Sequence, residues 1–208
     1  MKKALVTMAL LLTSLTATAV ERPAWDNVTV GYIRLGIGAN IPALNGQGLL
    51  VNKTLGDNWY FSVSYYEADR DWFYVSNLPF APPQIGEQYF RYYSYSAGVG
   101  YRHRLGKNTD IFGTVRYGHA KLKYRLINYS ETPITTVSVT PIGSIGFRTM
   151  VTPAVELGAQ VQAYFNLDEV TWKAQATYYL TDSISGTLAF EDGGKSEDTL
   201  GVYASWNF

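Results

Sequence analysis

The feature that most constrains this chain is an alternation of apolar with small or polar residues that recurs in segment after segment. In the stretch 155–165 every odd-numbered residue is apolar, and the residues between them are small or polar. The stretches 170–180 and 200–208 alternate in the same way. Period two is the repeat of a β-strand, whose successive side chains point to opposite faces. Each segment is therefore predicted to be a strand with one apolar and one polar face.

The same pattern predicts ten strands along the chain. They cover 29–37, 47–55, 59–65, 91–105, 111–121, 137–147, 155–165, 170–180, 184–190 and 200–208. Short turns at 55–58, 105–110, 151–154 and 180–183 alternate with five connections at the opposite edge, four of which are longer or more irregular. Tight turns at one edge and extended loops at the other are typical of outer-membrane barrels. An even number of strands places both ends of the chain at the short-turn edge.

Two arrangements fit alternating strands, and the polar face distinguishes them. A soluble sandwich or lipocalin-like barrel would hide the apolar face, leaving glycine, serine, threonine, glutamine and tyrosine outside. Only 16% of the residues are charged, against about 25% in a typical soluble domain, so that surface would be poorly soluble. In a bilayer the apolar face points outward, and only a closed ring avoids unpaired strand edges. The fold class expected is all-β, a closed antiparallel up-and-down transmembrane β-barrel.

Composition excludes several function classes. Lys and Arg together number 17 and so do Asp and Glu, which removes the basic surplus that a nucleic-acid partner requires. The absence of cysteine excludes disulfides, thiolate zinc sites and thiol nucleophiles. The two histidines, His103 and His119, are too far apart in the sequence to suggest a metal ligand set. We expect no metal and no cofactor.

The N-terminal 19 residues predict export. Lys2 and Lys3 precede an apolar stretch at 4–12, and Ala17 and Ala19 form the small-x-small pattern that signal peptidase accepts. The stretch is too short for a spanning helix, which takes about 20 residues. We expect a signal peptide over 1–19, cleaved near Ala19, and a barrel domain over 20–208.

The last strand carries a family resemblance. Residues 201–208 end in Phe208 with Trp206 two positions before it, and a Leu-Gly-Asp-Asn turn occupies 55–58. In these features the chain resembles the small OmpA-like and OmpX-like outer-membrane barrels of Gram-negative bacteria, a group in which eight strands are common. The resemblance implies location in the bacterial outer membrane among its lipids and lipopolysaccharide. It also implies that Trp206 and Phe208 form an assembly signal for the barrel-assembly machinery.

The polar face predicts a charged network in the lumen. Nine residues are expected to face inward, six basic and three acidic: Asp26, Arg34, Arg102, Arg104, Arg116, Arg148, Glu156, Lys173 and Glu191. Reflection about the adjoining turns sets Arg148 opposite Glu156 and Lys173 opposite Glu191, so both are expected as cross-strand pairs. Two interpretations follow, a lumen plugged by its own side chains or a narrow path whose arginines favour anions.

The extracellular side offers two further candidate sites. The connection 69–89 is rich in aromatic residues and is expected either to cover the barrel mouth or to contact another molecule. Lys121, Lys123 and Arg125 rise toward the outer rim of one strand. They are expected either to contact lipopolysaccharide phosphates or simply to extend their charged ends into water.

We therefore expect an integral outer-membrane barrel that is structural or forms a narrow, anion-preferring pore. The first alternative is an adhesin-like barrel that acts through residues 69–89. The second is a lipid-modifying or proteolytic barrel enzyme, but neither histidine has a serine two positions later, where Leu105 and Lys121 stand instead. Without a histidine placed to activate a serine, catalysis is not expected.

Overall fold

The computed structural model describes residues 22–36, 43–76, 84–125, 134–192 and 198–208, with side chains described in these ranges except over 72–87. The predicted signal peptide, 1–19, lies outside the described residues. Ten strands are present: β1 (Asn27–Leu35), β2 (Leu44–Leu55), β3 (Trp59–Ser76), β4 (Gln84–Arg104), β5 (Thr109–Arg125), β6 (Ile134–Thr152), β7 (Val155–Tyr164), β8 (Glu169–Tyr179), β9 (Ile184–Asp192) and β10 (Thr199–Asn207). In the described ranges, no helix has the length and apolar character needed to cross a bilayer.

The strands form one closed ring. Each pairs antiparallel with its neighbours in sequence, and β1 pairs with β10 from Asn27 opposite Asn207 to Leu35 opposite Thr199. Closure gives every strand a hydrogen-bonding partner on both sides, which a bilayer requires. The predicted ten-strand, closed up-and-down barrel is confirmed. We call the edge with the short turns the periplasmic edge and the opposite one the extracellular edge.

The apolar face of the barrel points outward. Val115 is 66% exposed and Ile145 72% exposed, whereas the neighbouring Thr114 and Ser144 are buried inside the ring. In the β4–β5 ladder Val99 lies opposite Val115, so the outward residues of these adjacent strands lie side by side on the same face. A soluble barrel with an apolar interior is therefore the wrong alternative. The outward side chains form a continuous surface that matches lipid tails.

Aromatic residues border this apolar surface at the periplasmic edge. Trp59 packs edge-to-face on Tyr101 at 5.2 Å between ring centroids, and Trp206 lies 5.4 Å from Phe208. All four are exposed on the outer face. Toward the extracellular edge the outward aromatics are Tyr65, Tyr117, Phe165 and Trp172. Tyr60 and Tyr124 also lie near the two edges, but they are in the inward register.

The short turns use local backbone chemistry. Gly56 and Gly106 have φ values of 75° and 107°, a conformation that costs other residues strain. The two remaining short turns are closed by threonine hydroxyls. Thr152 Oγ1 accepts from the backbone N–H of Val155, and Thr181 Oγ1 accepts from that of Ile184, both at 3.0 Å. These contacts fix the hairpins at the periplasmic edge.

The barrel wall is tallest on one side. Strand β4 has 21 residues and β3 has 18, whereas β1, β9 and β10 have nine each. The ladder between β3 and β4 continues to Ser76 opposite Gln84, although β4 pairs with β5 only as far as Tyr89. The prediction of a loop over 69–89 is therefore wrong for most of its length. It is a two-stranded ribbon, and its tip, 77–83, lies outside the described residues.

Candidate functional site

Most of the residues that line the interior of the barrel have polar side chains, and the interior contains a cavity of about 460 Å³. Serine, threonine, asparagine or glutamine side chains from every strand line it. The lining extends from Asn27 and Asn207 near the periplasmic edge to Leu35 and Thr199 near the extracellular edge. The exception is an apolar cluster on one wall, formed by Ile33, Leu44, Ala68 and Phe90. The lumen is thus a largely polar space along the axis of the barrel.

A buried ion pair occupies the periplasmic half of the lumen. Arg148 donates from Nε to Glu156 Oε1 at 2.6 Å and from Nη2 to Oε2 at 2.9 Å. Tyr179 donates its hydroxyl to the same Oε2 at 2.6 Å. Glu156 is 0% exposed, and a carboxylate at such a position is stable only when paired and hydrogen-bonded. The charges of this cluster therefore compensate each other.

Trp25 lies inside the lumen beside this cluster and is 5% exposed. Its indole Nε1 donates to Asp110 Oδ2 at 2.7 Å. The guanidinium carbons of Arg148 and Arg102 lie 4.8 and 5.6 Å from its ring centroid. A cation over an indole face within about 6 Å is attracted to it. The ring is thus held by an acid at its edge and cations at its faces.

The segment before Trp25 is also bound to the barrel wall. Ala24 donates its backbone N–H to the Tyr179 hydroxyl at 3.0 Å and accepts from Arg148 Nη1 at 2.9 Å. Tyr60 and Phe112 pack against Trp25, with ring centroids 4.7 and 5.4 Å away. These partners come from β3, β5, β6 and β8, so the segment contacts widely separated parts of the ring.

A chain of polar groups occupies the middle of the lumen. Arg116 donates from Nη2 to Gln162 Oε1, and Gln162 donates from Nε2 to Glu191 Oε1 at 3.0 Å. Thr171 also donates to Glu191 Oε1, at 3.4 Å. The Nε of Arg116 is buried and has no hydrogen-bond partner. The hydrogen bond described for this guanidinium is thus to a neutral amide rather than to a carboxylate.

Of the two expected cross-strand pairs, one has the predicted register and the other does not. Lys173 stands opposite Glu191 in the β8–β9 ladder, as the reflection predicts. Arg148 stands opposite Gly158, because the turn between β6 and β7 is formed by residues 153 and 154 and is not centred on Thr152. The long arginine side chain still reaches Glu156 diagonally. The ion pair forms although the register is not the predicted one.

Of the other residues expected in the lumen, Arg102 and Arg116 face inward and Arg104 lies exposed at the periplasmic end of β4. Arg34 does not face the lumen. It lies in the outward register of β1, two residues after the exposed Tyr32. The expectation is wrong because the even-numbered residues of β1 point outward, and Arg34 is one of them.

Asp26 lies at the periplasmic rim rather than in the lumen. Its carboxylate accepts from the Thr54 backbone N–H at 2.6 Å and lies 3.5 Å from Lys53 Nζ. Partial burial acts to raise the pKa of Asp26, but the hydrogen bonds from Thr54 and the charge of Lys53 outweigh it and hold the pKa below its ordinary value. The residue anchors the chain just before β1 begins.

The sequence analysis missed four lumen residues. Asp110 and Glu169 are inward-facing acids at the ends of their strands, and Arg70 is an inward cation near the extracellular end of β3. Trp25 precedes β1 but shares the odd parity of the inward Asn27. Extending the predicted alternation beyond the strand ends would have found the first three, whereas Trp25 also needed the inward face of β1 to be assigned to its odd-numbered residues.

The outer surface near the extracellular edge carries a row of cations. Lys121, Lys123 and Arg125 occupy consecutive outward positions of β5. Arg91, on the neighbouring strand, stands directly opposite Lys123 and lies 3.9 Å from Asp69. The structure thus adds one arginine to the predicted group.

Both histidines are outward-facing. His103 and His119 occupy odd positions in the β4 and β5 ladders. The His119 ring stacks on Tyr95 at 4.7 Å between centroids. Neither ring points into the lumen, where a solute would pass.

Comparison with solved structures gives further information on the fold. The KdgM porin, described in complex with disordered oligogalacturonate, is 7% identical and aligns over 88% of this chain and 99% of its own, with a TM-score of 0.51. Ail of Yersinia pestis is 16% identical over 88% of this chain and 97% of its own, with a TM-score of 0.45. Omp33 of Acinetobacter baumannii is 14% identical over 92% of this chain and all of its own, with a TM-score of 0.40. No protein-family model and no curated protein matches the sequence.

The class of the protein follows from its surfaces and its fold. The ring is closed, its outer face is apolar with aromatic borders, and its interior is largely polar. These are the properties of a transmembrane β-barrel of the outer-membrane type. The likeness to KdgM shows that the fold is shared with an outer-membrane porin. The chain is an integral outer-membrane β-barrel.

Proposed function

We propose that this barrel provides a narrow, water-filled path across the bacterial outer membrane and that the path prefers small anions. Its polar lining and its cavity of about 460 Å³ support the proposal. About eight strands give a barrel filled by its own side chains, whereas general porins have 16 or more. Ten strands fit ions and small solutes only.

Arg116 carries the proposed anion preference. It faces the cavity in the middle of β5, and its guanidinium donates to the neutral amide of Gln162. Arg148, by contrast, is neutralised by Glu156. Four cations and four acids of the inward register balance each other inside the ring: Arg102, Arg116, Arg148 and Lys173 against Asp110, Glu156, Glu169 and Glu191. Two further arginines of the same register, Arg70 and Arg104, are exposed toward the extracellular and periplasmic ends and add a positive surplus there. A surplus of fixed positive charge in a pore favours anions.

Conductance of the refolded mature chain in planar bilayers tests the proposal. We expect small discrete steps and, in a salt gradient, a reversal potential on the anion-selective side. Arg116→Gln removes a charge worth about 1 kcal/mol to an anion about 4 Å away in a water-like medium, so the anion-to-cation permeability ratio should fall about fivefold. Lys121→Gln is the matched control, because Lys121 lies on the same strand but faces outward. Absence of steps, or cation preference in the unmodified protein, would contradict the proposal.

We further propose that the outward cations contact lipopolysaccharide phosphates. Lys121, Lys123, Arg125 and Arg91 lie on adjacent strands at the extracellular side, where phosphates of the outer leaflet would meet them. Charge reversal of Lys121, Lys123 and Arg125 together should raise the uptake of a bulky apolar dye by cells. Unchanged uptake, with normal amounts of folded barrel, would instead support simple extension of these side chains into water.

The C-terminal strand is the proposed contact for the barrel-assembly machinery. Trp206 and Phe208 are exposed on the outer face at the periplasmic edge, and β10 is the strand that closes the ring with β1. Phe208→Ala should reduce the amount of folded protein in the outer membrane while leaving refolding in detergent intact. Tyr32→Ala, an outward aromatic on β1, is the control.

The β3–β4 ribbon favours a second candidate function, contact with a surface or a partner protein. The ribbon extends beyond the ladder that joins β4 to β5. Replacing residues 75–85 by Asn-Gly should abolish binding of expressing bacteria to host cells if the ribbon is a contact surface, and it should leave pore conductance unchanged. Undiminished cell binding would eliminate this candidate.

No catalytic role is proposed. The histidines face outward, away from the lumen. Hydrolase assays on lipid A and on peptides with the refolded chain should give no product, and turnover would revive the enzyme alternative.

A further inference from the structure

The N-terminal segment that precedes β1 enters the lumen rather than passing beneath it. Its backbone at Ala24 is bonded to Tyr179 on β8 and to Arg148 on β6. Its side chain at Trp25 contacts Tyr60 on β3 and bonds Asp110 on β5. A segment that touches these four strands while joining β1 spans the bore of a ten-stranded ring.

We propose that residues 24–26 are a plug for the periplasmic end of the lumen, with Trp25 as the side chain that closes it, and that withdrawal of Trp25 opens the path. The inference rests on the proposed pore and adds how that pore is regulated. Trp25 lies at the level of the Arg148–Glu156 pair, on the periplasmic side of Arg116. A solute that has passed Arg116 therefore meets the indole before it reaches the periplasm.

The side chains that surround Trp25 suit a plug that leaves and returns. An apolar pocket would be exposed unfavourably to water when an indole leaves it. Here the indole packs on the rings of Tyr60 and Phe112 but also lies among charged groups, Asp110, Arg102 and Arg148. Water can solvate these charged groups once the indole has gone. Arg148 also keeps both of its bonds to Glu156 when the segment departs. Withdrawal thus leaves few unsatisfied polar groups behind.

Asp26 provides a fixed point for this movement. Its carboxylate is bound by Thr54 through both the backbone N–H and the hydroxyl, at 2.6 Å and 2.8–2.9 Å. Lys53, 3.5 Å away, adds charge attraction. Residues 24 and 25 can therefore swing out while β1 keeps its ladders with β2 and β10.

Single-channel recording of the refolded mature chain tests the plug. Trp25→Ala should raise the open probability at least about tenfold, because it removes the ring as well as a hydrogen bond to a charged group, whose loss alone accounts for about tenfold. Trp25→Phe, which keeps a ring but lacks the N–H that binds Asp110, should give a smaller rise and serves if the alanine variant does not fold. Trp59→Ala, a tryptophan on the outer face, should leave conductance unchanged.

A second measurement does not depend on conductance. The chain has no cysteine, so Ala24→Cys can be labelled alone with a membrane-impermeant maleimide. Labelling should be slow when Trp25 is present and about tenfold faster when Trp25→Ala is added, by the same loss of binding. Steps of equal open probability in wild type and Trp25→Ala would overturn the plug and leave the pore standing. Absence of steps in both would overturn the pore, and unchanged labelling would then overturn the plug as well.

Discussion

At the residue scale, the pair Arg148–Glu156 is the interaction whose loss should cost most. Glu156→Gln leaves a buried guanidinium without its counter-charge, and breaking a buried pair in this way costs about 3–5 kcal/mol. We expect that loss in the free energy of unfolding, measured with urea in lipid vesicles. The double variant Arg148→Met, Glu156→Leu should recover much of it, because no lone charge remains. A double variant as unstable as the single one would show that the pair acts mainly through its neighbours.

A pH dependence also belongs to the residue scale. The pKa of Asp26 is lowered in the folded barrel, so the folded state favours the carboxylate. Its contribution to stability is present above the pKa of the unfolded chain, about 3.9, and is lost as the pH falls through the folded pKa. The thermal midpoint of Asp26→Asn should therefore lie below that of wild type near neutral pH, and the difference should shrink on acidification below about pH 4. A difference that is constant with pH would exclude this charge as the cause. Asp57→Asn, in an exposed turn, is the control.

Individual lumen residues were harder to predict than their strands, for physical reasons. Parity alone places a residue inside or outside, so Arg34 could have been assigned correctly from the outward Tyr32. The β6–β7 register depends on which residues form the turn, here 153 and 154, and alternation does not encode the centre of a turn. The seating of Trp25 depends on partners from four strands, which no local pattern brings together.

At the element scale, the β3–β4 ribbon is the part of the barrel where the predicted strands were too short. All ten strands were predicted, but β3 was expected to stop near residue 65 and instead runs to Ser76. Outward apolar residues stop after Tyr65, because Glu67, Asp69 and Asp71 take the following outward positions. Beyond the bilayer a strand no longer needs an apolar face, and backbone pairing alone continues the ladder.

This ribbon gives a prediction about stability. The described residues of the segment 75–85, namely 75–76 and 84–85, pair only with each other in the ladders, so they add little to closure of the ring. Replacing the segment by Asn-Gly, a favoured two-residue hairpin turn, should change the free energy of unfolding by less than about 1 kcal/mol, as for changes away from the core. Urea titration in vesicles measures it. A loss of several kcal/mol would mean that the tip packs on the barrel.

At the scale of the whole molecule, the directions of the apolar and polar faces determine whether the barrel can span a membrane and enclose a pore. Val115 and Ala120 lie on β5, the first outward and the second inward against the cavity. Val115→Arg places a charge among lipid tails and should cost about 2–4 kcal/mol, whereas Ala120→Arg meets water in the lumen and should cost less than about 1 kcal/mol. Unfolding in vesicles gives the stabilities, and planar-bilayer recording should show increased anion preference for Ala120→Arg alone. The reverse order of costs would mean that the apolar face points inward, and then neither a pore nor its plug could exist.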